Sequence, residues 1–386
     1  MTQTTDRQVY LDWAAATPVD KRVLATMLPY FSERFFNPSA SYLPAVQIRH
    51  DFDKAKTKIA NLIGAKADQL VMTAGATESI NLAFSIATNL IYSGIEHPSV
   101  QNVAQLKSSV QVAPVTSQGL VDLIRLQQLI TDQTDFISIC LVSSDLGTIQ
   151  PLSEIASLIK KVRIERFEAG NLTPLIFHSD ASQGMGYLKI NPSRLGLDLL
   201  TISAATIGGP KQVGALWVRP GLTLKPNIIG GGQENGLRGG TENVAGVMGF
   251  AKAAELVAPG ISKSVAKQRD HLQAMLVEGL GQLTILGHHK KRLPNYLVVS
   301  FENIEAERLI FRLEKLGVYV STGAACSANA GRGSLALSSL GLTAAVQAGS
   351  LRITLGHDMS NDDLEYAGQM IINEVKLEQK RVGMRL

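Results

Sequence analysis

The chain has 386 residues, 45% of them hydrophobic and 5% aromatic, with a formal net charge of +4. That length suits one large domain plus a smaller one around a well-buried α/β core, and the charge is too small and too scattered to indicate nucleic acid. No apolar run approaches the ~18–20 residues that a membrane-spanning helix needs, and two cysteines, Cys140 and Cys326, make no disulfide framework.

Residues 1–8 are polar, so no secretory leader is expected, and reduced thiols in a cytoplasmic protein are expected. From Tyr10 to Pro18 the chain reads as an extended lead-in ending in small residues, with Asp20 placed to cap the helix that follows. Phe36-Asn37-Pro38-Ser39 is a loop. Residues 44–63 carry Phe52, Ala55, Ile59 and Leu62 at helical spacing and stop at Gly64. Residues 69–73 form a buried strand, and Ala74-Gly75-Ala76-Thr77-Glu78-Ser79 then opens a helix. Small residues at such a turn expose backbone N–H groups, and a helix start attracts phosphate.

Ile95-Glu96-His97-Pro98-Ser99-Val100 comes next, where a lone histidine is more often a helix cap than a catalyst. Residues 136–142 form a strand ending in Ser143-Ser144-Asp145-Leu146-Gly147-Thr148-Ile149-Gln150, followed by a helix over 151–167. Two further apolar runs, 174–178 and 198–204, are short enough for buried strands, and each ends in small polar residues. Ligands collect at that edge of a parallel sheet. Asp180, Gln183 and Ser203 bring an acid, an amide and a hydroxyl there, which suggests a polar small molecule. The turn Gly208-Gly209-Pro210 leads into a strand over 214–219.

The loop Gly230-Gly231-Gly232-Gln233-Glu234-Asn235-Gly236-Leu237-Arg238-Gly239-Gly240-Thr241 is rich enough in glycine to approach something closely with its backbone. Helices are expected over 244–257 and 263–283, and strands over 297–302 and 318–321. The pattern shortens after residue 285, so the large domain is expected over 15–260 and the small one over 1–14 and 261–386. Ser321-Thr322-Gly323-Ala324-Ala325-Cys326-Ser327 puts a cysteine among small residues on a loop, where a thiol can move and attack. Cys140, in an apolar run, reads as structural. So does the His288-His289 pair, and the basic tail 376–385 reads as a solvated helix end.

These segments, in this order over about residues 8–370, resemble the cysteine desulfurases, a branch of the class V aminotransferases that use pyridoxal phosphate (PLP). The resemblance implies an α/β fold of the PLP-dependent type I class, with a mostly parallel seven-stranded sheet in the large domain and a smaller α+β C-terminal domain. It implies that Ala76, Thr77 and Ser203 hold the cofactor, and that Thr241 reaches the phosphate in a partner subunit, hence a homodimer. His97 would stack on the pyridine ring and help move protons, Asp180 would keep the ring nitrogen protonated, and Gln183 would contact the phenolic oxygen. Arg352, in Ser350-Leu351-Arg352-Ile353-Thr354-Leu355-Gly356, would grip the substrate carboxylate, a task that suits a planar bidentate donor. Ser144 would lie on the substrate side, and Cys326 would carry the persulfide.

The chain departs from that pattern where it matters. The family shows Ser-Ala-His-Lys and then Gly-Pro-Lys-Gly; this chain has Ser203-Ala204-Ala205-Thr206 in place of the first. Ser144 replaces an asparagine, and Thr354 a serine. The family's lysine binds PLP as an imine and shuttles the α-proton; Thr206 can do neither, and Lys211, the nearest lysine, matches a separate family lysine. The expectation is a cysteine desulfurase by descent, converting L-cysteine to alanine with a persulfide on Cys326. PLP would be held non-covalently or as an external aldimine, at a rate lowered by the missing lysine. Sulfur would pass to an acceptor or scaffold protein, as in iron–sulfur cluster assembly. Two alternatives stand beside it: a non-catalytic PLP-binding or scaffold relative, and another class V enzyme such as a selenocysteine lyase or aminotransferase. No metal, nucleic-acid or membrane partner is expected.

Overall fold

The computed structural model describes residues 7–257, 261–281, 283–323 and 334–383. Its strands are β1 (Val9–Tyr10), β2 (Leu70–Thr73), β3 (Asn89–Ser93), β4 (Ser109–Ala113), β5 (Phe136–Ser138), β6 (Ile176–Asp180), β7 (Leu199–Ser203), β8 (Gly214–Val218), β9 (Thr284–Ile285), β10 (Tyr296–Ser300), β11 (Val318–Tyr319), β12 (Ser321–Thr322) and β13 (Ser350–Thr354). Seven of them form one sheet in the order β2-β8-β7-β6-β5-β3-β4. β8 runs antiparallel to both β2 and β7, and the other neighbours are parallel.

Strands covered on both faces read as nearly continuous apolar runs, and Leu-Val-Met-Thr and Leu-Leu-Thr-Ile-Ser are of that kind. Successive side chains alternate between the faces. Val71, Leu90, Phe136, Leu199 and Leu216 pack with Ile80 and Phe84, at and just past the helix Ala76–Ala83. Met72, Ile91, Ile137, Phe177 and Leu200 pack on the opposite face with Ile59, Ile155 and Phe250, from the helices Leu43–Leu62, Leu152–Glu168 and Val244–Leu256. Each such buried side chain contributes roughly 1.5–3 kcal/mol.

A second core surrounds an antiparallel sheet, β12-β13-β10-β9. Leu272, Leu297, Leu309, Ile353 and Ile371 fill it, together with Val9 and Leu11 from the opposite end of the chain. The N-terminal strand is held there by parallel pairing of β1 with β11.

Two sequence expectations are revised. The strand expected over 318–321 is two strands in two sheets: Val318–Tyr319 pairs with β1, Ser321–Thr322 pairs with β13, and buried Val320 lies between them. The C-terminal helix Asn361–Arg381 exposes its lysines but is not simply solvated. Glu374 and Glu378 face inward and pair with Arg308, Arg312 and Arg381. No helix among the described residues is long and apolar enough to cross a membrane.

Gly147 shows how tightly the 143–150 turn meets the first residue of β10. Its φ is +70°, and a Cβ there would come within 2.4 Å of the Tyr296 side chain. Gly147→Ala is expected to destabilise the fold by about 2–4 kcal/mol, combining overpacking with left-handed strain. Gly170→Ala, at φ +77° with open space around it, should cost only about 1 kcal/mol. Urea denaturation of both variants checks the difference.

Candidate active site

The parallel register brings the ends of β6 and β7 side by side, with Asp180 opposite Thr201 and Ser203 two residues on. Asp180 Oδ1 accepts hydrogen bonds from the backbone N (2.9 Å) and Oγ (2.6 Å) of Ser182. Its Oδ2 has no hydrogen bond to a described residue, which leaves one carboxylate oxygen for a ligand donor.

His97 caps the helix Pro98–Ala104. Its Nδ1 accepts from the Ser99 backbone N at 3.1 Å and lies 2.7 Å from Ser99 Oγ. The cap and the functional role are therefore compatible, since Nδ1 serves the helix and Nε2 remains for chemistry. Glu96 beside it is 2% exposed. Its Oε1 accepts from Ser93 Oγ (2.7 Å) and the Cys140 backbone N (2.6 Å), while Oε2 is buried without a partner. Burial lifts this carboxyl to about 8, with the Asp180 carboxylate adding to the rise. Glu96 is thus protonated at neutral pH. Burial also pushes the Cys140 thiol well up, so that cysteine is inert.

Gln183 is engaged at both ends of its amide. Nε2 donates to the Ala14 carbonyl and Oε1 accepts from the Tyr296 hydroxyl, each at 2.9 Å. The Tyr296 hydroxyl also lies 3.3 Å from the Ser144 carbonyl oxygen. Arg352 completes this group. Its Nη2 donates to Asp12 Oδ1 (2.8 Å) and Nη1 to the Ser144 carbonyl (3.0 Å), and Asp145 Oδ1 is 3.9 Å from Nη1. Only Nε is left buried without a partner. An incoming carboxylate has to share this guanidinium with Asp12.

On the other side of the sheet edge, Gly75, Ala76, Thr77, Ser203, Ala205, Lys211 and Gln212 line one open cavity. The helix Ala76–Ala83 begins there, and Gly75 turns into it at φ +103°. β8 approaches so closely that a Cβ on Gly214 would lie 2.8 Å from Gly75. Thr206 is turned onto the backbone: its Oγ1 donates to the Ser182 carbonyl (2.7 Å) and lies 3.4 Å from that of Ser203. Thr17 stitches the 205–211 turn to the N-terminal segment. Its Oγ1 donates to the Ala205 carbonyl and accepts from Gly208 N, and its own carbonyl accepts from Lys211 Nζ.

A class-V aminotransferase family model matches residues 9–366. The chain belongs to that family. It is 37% identical over 375 residues to the cysteine desulfurase IscS of Dictyoglomus turgidum, covering 93% of this chain and 92% of that protein. Among solved structures, a NifS-like protein superposes with a TM-score of 0.85 at 31% identity, over 96% of this chain and all of the other. SspA in complex with cysteine does so with a TM-score of 0.77 at 30% identity, over 90% and 98% of the two chains. The chain is a cysteine desulfurase-like protein with the expected mostly parallel seven-stranded sheet.

The donor set fits PLP without its anchor. Hydroxyls and a helix start suit a phosphate, and the unbonded oxygen of Asp180 suits a protonated ring nitrogen. The structure joins Gln183 to Ser144 and Arg352 through Tyr296, puts Thr77 and Ser203 on one cavity, and sets Asp180 near enough to Glu96 for its charge to act there, but gives Asp180 no contact with His97 among the described residues. Thr241 is exposed and does not line that cavity, and Cys326 lies outside the described residues. Sequence reasoning missed Glu96, Tyr296 and Asp12 as parts of the site. Glu96 stands within a quoted motif, but its burial could not be read. Tyr296 and Asp12 carry no local signal, because their partners lie 113 and 340 residues away.

Buried His178 is the opposing titrating group. Burial lowers it to about 3, and its ring bonds Ser138 and Thr201. A histidine held below its unfolded value near 6.5 loses stability as pH falls below about 6.5. Glu96, held above its unfolded value near 4.3, keeps its contribution at low pH and loses it as pH rises toward 8. Between about pH 6.5 and 8 only Glu96 of this pair acts, and stability should decline. Glu96→Gln is expected to flatten that decline in urea midpoints measured across the window; an unchanged slope would contradict the assignment.

Proposed function

We propose that this chain binds PLP without a covalent anchor and acts slowly on L-cysteine as a homodimeric, cytoplasmic desulfurase, passing sulfur from Cys326 to an acceptor protein. The observation that carries this is the intact polar frame around a substituted lysine: Asp180, Gln183, His97 and Arg352 remain in place while Thr206 is bonded to backbone. The cysteine bound by SspA supports the substrate. When bound, PLP supplies an electron sink. Asp180 Oδ2 would hold the proton on the ring nitrogen, with neutral Glu96 beside it adding no competing charge. The hydroxyls of Thr77 and Ser203 would take the phosphate. Arg352, shared with Asp12, would orient the cysteine carboxylate on the Ser144 side, and His97 Nε2 would carry protons. In the net reaction the substrate C–S bond breaks and an S–S bond to Cys326 forms. Cysteine plus the thiol thereby give alanine plus a persulfide.

A large domain over 15–260 and a small one over 1–14 and 261–386 belong to the same proposal, with Ser144 from the first and Arg352 from the second. The non-catalytic alternative is favoured by one observation, the engagement of Thr206 with backbone oxygens, which leaves no base at that position. The homodimer is supported by apolar side chains exposed along one segment, Leu24, Leu28, Phe31, Phe35, Tyr42 and Leu43, beyond what a monomer surface ordinarily carries.

Losing a proton-transfer group typically costs ~10²–10⁴ in rate. Thr206→Lys should therefore restore a borohydride-trapped cofactor adduct and raise alanine release from cysteine by about 10²–10⁴-fold, with persulfide lost on Cys326→Ala. A Thr206→Lys protein that takes up PLP but shows no gain would refute the proposal. In light scattering, Leu28→Glu with Phe31→Glu is expected to convert dimers to monomers.

A further inference from the structure

We propose that Lys211 and Gln212 bind the cofactor phosphate, beside Ala205 and Thr206, where the family has histidine and lysine. The inference rests on the PLP reading above and deepens it. A phosphate monoester carries about −1.5 to −2 charges at pH 7, whereas a helix start offers roughly half a positive charge and hydroxyls offer none. Ala205 contributes only a methyl group to the cavity wall. Two cationic side chains line that cavity, Lys211 and Lys107. Lys107 donates to the Phe84 carbonyl as Lys211 does to that of Thr17, but it follows the helix Pro98–Ala104, whereas Lys211 shares the turn of Ala205 and Thr206.

Lys211 is positioned by its neighbours. Its Nζ donates to the Thr17 carbonyl at 2.5 Å, and Thr17 is itself tied to Ala205 and Gly208. An ammonium has three donors, so two remain for the cavity. Gln212 is the more telling residue. Its backbone is in the left-handed region, φ +59°, where the family turn has glycine. Such strain persists when something offsets it, and it clusters at ligand clamps. Gln212 is exposed and lines both this cavity and the neighbouring one at Arg238 and Glu242, and its side chain makes no hydrogen bond with a described residue. A strained backbone that presents an unused amide beside an ammonium is explained if both meet an anion.

The test titrates the wild type, Lys211→Ala, Lys211→Arg, Gln212→Gly and Lys107→Ala with PLP and with pyridoxal, which lacks the phosphate. Lys211→Ala should weaken PLP binding about ten- to hundredfold, the range of a charged hydrogen bond, and leave pyridoxal unchanged. Lys211→Arg should retain most of the PLP affinity. Gln212→Gly should raise the melting temperature while weakening PLP about two- to tenfold. An unaltered PLP-to-pyridoxal ratio in Lys211→Ala, an equal loss in Lys107→Ala, or a borohydride adduct on Lys211 itself would overturn the assignment of Lys211. A Gln212→Gly protein that melts higher with full PLP affinity would remove Gln212 from it. Wild-type protein that takes no PLP defeats the functional reading instead. Calorimetry with inorganic phosphate then decides for the pair, by whether Lys211→Ala loses binding that the wild type has.

Discussion

The guanidinium of Arg352, 3% exposed in its side chain, sits between the Asp12 carboxylate and the Ser144 carbonyl, and both halves of the site are registered on it. Removing one member of a buried ion pair strands the other at a cost of about 3–5 kcal/mol. Asp12 and Arg352 therefore hold each other in place, although one precedes the first helix and the other lies on β13. The remaining contacts follow from that fixed point. The chain from Asp12 runs to Ala14, whose carbonyl receives Gln183; Gln183 receives Tyr296; and Tyr296 returns to Ser144. The loop of polar contacts closes on itself, and its members Ala14 and Tyr296 are anchored in the first hydrophobic core.

The two sides of the site differ in how far they are satisfied internally. Around Arg352, nearly every donor and acceptor already has a protein partner, so a ligand there must exchange with existing bonds. Thr77 is exposed on the open cavity, and buried Ser203 accepts from the Ala205 backbone N, which leaves its hydroxyl hydrogen to donate. Affinity should therefore come mainly from the phosphate side and orientation from the carboxylate side.

Much of this was legible in the sequence because it depends on local rules. Continuous apolar runs marked β2, β6, β7 and β8; small residues marked the phosphate turn; and Asp20 stood where a helix cap belongs and is one. The order of motifs placed Asp180 and Ser203 at one edge. What could not be read was pairing across distance. Val318 to Ser321 looks like one strand, and only the competing partners β1 and β13 divide it. Glu374 and Glu378 look like surface charges on a basic tail, and only the arginines of the helix Ala306–Glu314 explain their burial. Glu96 lay in plain view beside His97, but its neutral state follows from the closing of β3 against β5, which no window of sequence contains.

Thr206 occupies its position without leaving a polar atom stranded, since its hydroxyl finds the carbonyl of Ser182. Folding is therefore indifferent to the loss of the amine. Quality control in a cell, which responds to unfolded chains, has nothing to detect in this variant, and only the demand for product acts on the position. A lineage can keep such a chain abundant and well folded independently of its turnover.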